Sequence, residues 1–99
     1  MEASLTHEEF TKYMGTKFLV LIDKNTGAEM ELFEVSELKV YPRQEEFTLT
    51  FRGPTDAFLD QGSRVFRHEQ MGDCELFIVP VRQDEHGYYY EAVFNRIRE

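Results

Sequence analysis

At 99 residues and 11.8 kDa the chain has material for one domain, near the lower size at which a domain folds alone. Its 41% hydrophobic and 14% aromatic content exclude wholesale disorder. A net charge of −8 makes nucleic acid and anionic membrane poor electrostatic partners.

No apolar run approaches the roughly 20 residues of a membrane-spanning helix, so membrane insertion is not expected. The longest run, Phe18-Leu19-Val20-Leu21-Ile22, has strand length. The polar stretch Met1 to Glu9 does not read as a signal or transit peptide. One cysteine, Cys74, leaves no internal disulfide, which suits a reducing cytoplasm.

In chain order, the first expected element is a helix over about 7–14. Thr6-His7-Glu8-Glu9 forms a capping box, in which Thr6 accepts the Glu9 amide hydrogen. Phe10, Tyr13 and Met14 share one face, Leu5 staples against Phe10, and Gly15 supplies the stop.

Everything after Gly15 reads as strand. The first two strands cover about 17–23 and 29–40 and form a hairpin, whose Asn25-Thr26-Gly27 turn is expected to need a positive φ at Gly27. The apolar phase changes at Leu32-Phe33, the mark of a bulge or a strand bend. In the third strand, about 46–52, Phe47, Leu49 and Phe51 alternate with Thr48, Thr50 and Arg52. The fourth covers about 63–69. The fifth, about 73–82, carries Cys74, Leu76 and Ile78 on one side and Phe77, Val79 and Val81 on the other. Pro80 there points to a sheet edge or a bulge. The sixth, about 88–95, sets Tyr88, Tyr90, Ala92 and Phe94 against Tyr89, Glu91 and Val93.

Short turns force antiparallel neighbours. The expected fold is therefore mainly β: a small six-stranded antiparallel barrel, plugged at one end by the N-terminal α-helix. A strongly curved sheet with the helix on one face is the alternative. The ten-residue connection from Gly53 to Gly62 contains Phe58-Leu59. It reads as a lid with one helical turn over 56–60 and Phe58 in the barrel mouth, or else as a partner-binding loop.

Three motifs carry a family resemblance. They are Phe51-Arg52-Gly53-Pro54 followed by Phe58-Leu59-Asp60-Gln61-Gly62, the run Leu76 to Val81, and the run Gly87 to Asn95. With the helix ending at Gly15, they resemble a family of small bacterial domains of unknown function, over roughly residues 5–95. The resemblance implies genes often placed beside phage tail-collar-like proteins, and so an accessory or structural role. It brings no established active site.

The residues themselves offer little chemistry. His7, His68 and His86 are scattered, so no metal site is expected. Cys74 lies in an apolar strand and reads as a buried structural thiol. There is no phosphate-binding glycine loop and no nucleophile elbow, so neither a cofactor nor a catalytic residue is expected. What exceeds the needs of a core is the Tyr88-Tyr89-Tyr90 triplet. Tyr89 and Val93 are expected to form an outward stripe beside Phe77, Val79 and Val81, covered by the helix or by another molecule. The expected function is a non-enzymatic protein–protein interaction module, homo-oligomeric or bound to a neighbour in an assembly. Tyr89, Val93 and Phe58 are its candidate contacts. A small-ligand-binding barrel is the alternative.

Overall fold

A computed structural model describes residues 6–97. The expected staple by Leu5 lies outside the described residues. Helix α1 spans His7–Lys12. Thr6 caps it as its sequence demands, its hydroxyl accepting the Glu9 amide at 3.1 Å. The helix is shorter than expected because Tyr13 already leaves helical geometry as the C-cap. Gly15 follows at φ 89°, where glycine carries no steric penalty. Its amide donates to the Leu32 carbonyl at 2.7 Å and ties the helix exit to the sheet.

Seven strands follow: β1 Lys17–Leu21, β2 Gly27–Val35, β3 Lys39–Val40, β4 Gln44–Gly53, β5 Gly62–His68, β6 Gly72–Asp84 and β7 Gly87–Ile97. The sheet order is β2-β1-β5-β6-β7-β4-β3, and β2 also pairs with β4. That extra pairing closes six antiparallel strands into a barrel and leaves β3 outside it. Closure removes most of the edge that an open sheet of this size would expose.

The expected strand over 29–40 is two strands. The Ser36 hydroxyl accepts the Thr48 amide at 2.8 Å, and the Ser36 amide donates back to the Thr48 carbonyl at 2.9 Å. Beyond this contact β3 pairs, among the described residues, only with the outer end of β4. The β1–β2 turn also differs from expectation. Gly27 is not at positive φ; it opens β2 opposite Leu21. The turn is held instead by the Asp23 carboxylate accepting the Asn25 amide at 2.8 Å, and by the Thr26 carbonyl accepting the Ile22 amide.

Alternation sends Phe18, Val20, Met30, Leu32, Phe47, Leu49, Phe51, Phe66, Leu76, Ile78, Tyr90 and Ala92 inward as one core. Phe51 and Phe66 meet at 4.6 Å between ring centroids, and Phe18 meets Phe51 edge-on at 5.4 Å. Burying rings of this size is the main stabilising contribution. At one end Phe10 of α1 completes the core against Phe94 at 5.2 Å and Phe47 at 6.2 Å. The helix thus plugs the barrel end, as expected, and does not cover the outer face.

The 53–62 connection closes the other end differently from the expectation. No helical turn forms over 56–60. Leu59, at 5% exposure, enters the core, and its amide donates to the Tyr90 hydroxyl at 3.0 Å. Phe58 stays 52% exposed, edge-on to Tyr88 at 5.1 Å. The backbone reason is that the Leu59 amide needs a buried acceptor, and Tyr90 supplies it from the inward face of β7.

Candidate interaction surface

The outer face of the barrel is built around two bulges. Between Leu32 and Glu34 the β2–β4 register slips by one residue, leaving Phe33 without an opposite partner. Between Pro80 and Arg82 the β6–β7 register slips likewise, leaving Val81 over. Pro80 has no amide hydrogen to offer a ladder, so a bulge is where a barrel strand tolerates it. The chain therefore uses the bulge and not the edge.

These slips converge on Tyr89. Its ring faces outward, opposite Tyr90, as strand alternation requires. It is nonetheless only 2% exposed, contrary to the expected open stripe. Phe33 meets the ring edge-on at 5.3 Å. The Arg82 guanidinium lies 3.6 Å from its centroid, a close cation–π contact. Phe33 in turn carries Arg52 at 4.9 Å, and Arg52 pairs with Glu31 at 2.9 Å. The Tyr89 hydroxyl donates to Asp84 Oδ2 at 2.9 Å. Burial works to raise the Asp84 carboxyl. The His86 amide, the Tyr89 hydroxyl and the positive charge of Arg82 nearby together outweigh it and hold the group below the usual carboxylate range. Tyr89 is thus covered by its own sheet and needs no second molecule.

Its neighbours are not covered. Phe77 is 55% exposed and Val93 59%, and Val79 and Val81 are also open. Val79 lies opposite Glu91, and Phe77 and Val93 are the next outward residues of β6 and β7. The open apolar group is therefore on the strands where the sequence puts it, but centred on Phe77 and Val93 and not on Tyr89. Phe58 sits apart, on the loop at the Leu59 end of the barrel.

Other chemistry-bearing groups have structural partners. The His68 Nδ1 accepts the amides of Gln70 and Met71 at 3.0 and 3.1 Å. That places the proton on Nε2, which donates to the Thr16 hydroxyl at 2.9 Å. The ring packs between Phe18 and Tyr13, and this burial lowers its pKa. The His7 Nε2 donates to the Ser36 carbonyl at 2.7 Å. Cys74 packs half-buried against the core, and burial pushes its thiol up to about 11. At neutral pH it is a thiol and not a thiolate.

A groove of about 390 Å³ is lined by Lys17, Glu29, Glu31, Arg52, Pro54 and His86, together with Gly53. Its charges already neutralise one another, through Lys17–Glu29 at 3.8 Å and Arg52–Glu31. Among the described residues no three His, Cys, Asp or Glu side chains cluster as metal ligands would, and no helix is long and apolar enough to cross a membrane.

The Tyr89 clamp carried only a partial signal in sequence. The phase change at Leu32 and the proline at position 80 mark the places, as a bulge or a bend and as a bulge or an edge. Which ring they cover depends on the pairing of strands far apart in the chain.

No curated protein and no solved structure matches this chain. A family model matches residues 5–94, described as a domain of unknown function. The match takes in the capped helix, all six barrel strands nearly to the end of β7, and both bulges. The chain therefore belongs to the DUF6916 family of domains of unknown function.

Proposed function

We propose that this domain is a non-enzymatic protein–protein interaction module. Its partner is another protein, a neighbouring component of a phage-tail-like or surface-associated assembly, as the bacterial tail-collar setting implied by the resemblance suggests. The domain is made in the cytoplasm and taken into the larger particle. The observation that carries this reading is the open apolar group Phe77, Val79, Val81 and Val93 on adjacent strands of the barrel. Exposed apolar side chains gathered on neighbouring strands of a small acidic domain mark a contact surface. A ligand-holding barrel has less support, because aromatic rings meet across the interior at 4.6–5.4 Å. His7, His68 and the cysteine are engaged in the fold, which favours binding over catalysis.

The test is capture from the native host by the tagged full chain, compared with Phe77→Glu and Val93→Glu variants, with quantitative mass spectrometry. A companion recovered in stoichiometric amount by the wild type and lost with both variants is the expected result. Identical companions in all three samples, or none in any, would overturn the proposal.

A further inference from the structure

Among the described residues one seam of the barrel is only half closed. Strands β6 and β7 leave their turn paired, from Asp84 opposite Gly87 to Val79 opposite Glu91. There the pairing stops, although both strands continue. Gly72 to Ile78 of β6 goes on pairing with β5 alone. Ala92 to Ile97 of β7 goes on pairing with β4 alone. Among the described residues no strand occupies the second edge of that stretch of β7.

The open seam is also where the apolar exposure concentrates. Phe77 stands on its β6 side; Val93 and Ile97, the latter 83% exposed, stand on its β7 side. Natural sheets blunt an edge with proline, a bulge or an inward charge. Ala92 to Ile97 contains no proline, its pairing with β4 runs without a slip, and its one charged residue, Arg96, is at the inward parity but beyond the last core side chain and held in an interaction of its own. The seam's fixed charge is acidic. Glu75 and Glu91 flank Phe77 and Val79 on the outer face and make no ion pair among the described residues. The nearby basic groups are committed: Arg67 to Asp73 at 2.9 Å, and Arg96 to an interaction of its own. A second copy of a chain of charge −8 would bring like charge to this rim.

We infer that the Ala92–Ile97 edge of β7 binds an extended segment of another protein by strand addition, and that this segment alternates apolar and basic residues. Main-chain bonds to the open edge supply affinity. The alternate apolar side chains cover Val93, Ile97 and Phe77, and the basic ones meet Glu75 and Glu91. This deepens the proposed interaction role by naming the mode and the chemistry of the partner, and it rests on that role.

The probes are a nine-residue alternating Lys–Val peptide, its Glu–Val counterpart, and the Lys–Val peptide N-methylated at every second residue. Each is titrated into the full chain, with amide hydrogen exchange read residue by residue. The Lys–Val peptide is expected to slow exchange at alternate amides of 92–97 by about tenfold or more, and to bind more weakly as salt rises. The other two peptides are expected to bind about tenfold less tightly. Glu75→Lys with Glu91→Lys is expected to reverse the preference between Lys–Val and Glu–Val.

Equal binding of the N-methylated peptide would mean apolar adhesion and overturn strand addition, as would no protection at millimolar peptide. Protection of 92–97 in the free protein that grows with concentration would assign the edge to a second copy. Protection lost on deleting residues 1–5 would assign it to the chain's own N-terminus. Either result overturns the inference. A companion lost with Phe77→Glu, but with no protection at the seam, would leave the interaction role standing and remove only strand addition.

Discussion

Tyr89 separates a contact residue from a structural one. Truncating Tyr89 to Ala removes a ring that is 2% exposed, and with it the contacts to Phe33 and Arg82. Large aromatic-to-alanine changes in a core cost about 3–5 kcal/mol. Here the cover is partly solvent-facing, since Phe33 and Arg82 can settle into part of the space. The expected cost is therefore about 2–4 kcal/mol, including the cation–π contribution. In a domain of this size each kcal/mol shifts Tm by roughly 4–8 °C, so a fall of roughly 8–30 °C follows. Tyr89→Phe keeps the ring and loses the hydroxyl with its polar contacts to Asp84 and Arg52, both at the solvent-facing side, so it should cost a small fraction of that. The assay is urea unfolding followed by far-UV circular dichroism, with companion capture measured on the same samples. A Tyr89→Ala protein within about 1 kcal/mol of wild type, folded but unable to capture its companion, would refute the clamp. Tyr89 would then be a contact residue, as the strand pattern alone suggests.

Two further predictions bear on the fold. His68 is neutral in the barrel, and its lowered pKa means that the unfolded chain takes up the proton first. Its contribution to stability is full above the ordinary histidine pKa of about 6.5 and is lost as pH falls from there towards the folded value. His68→Gln should therefore show a shallower loss of stability than wild type over that window in pH-resolved thermal melts; parallel curves would contradict the assignment. Gly87 sits at φ 147°, where a Cβ would meet the Gly53 carbonyl across the β4–β7 pairing. Gly87→Ala is expected to cost about 2–6 kcal/mol, from backbone strain and the forced shift together. A urea midpoint unchanged from wild type would contradict it.

Local chemistry determined much of this protein. Apolar runs bounded by turns placed the six barrel strands, and in the third, fifth and sixth a period-two spacing showed which side chains share a face. The Thr6–Glu9 spacing and Gly15 set the helix, whose ends are settled by neighbouring residues. The phase change at Leu32 marked a bulge or a bend and the proline at 80 a bulge or an edge, and the strand pairing made both of them bulges. Tertiary structure decided what each outward side chain meets. Tyr89 and Val93 are equivalent by alternation, yet one is enclosed and the other open, because only Tyr89 lies between the strands that carry Phe33, Arg52 and Arg82. Phe58 and Leu59 were likewise indistinguishable as neighbours in a loop. The Tyr90 hydroxyl, reaching across 31 positions of chain, took the Leu59 amide and turned that side chain inward. The half-closed seam has the same origin, since the point where β6 and β7 part depends on how six twisted strands share a closed perimeter.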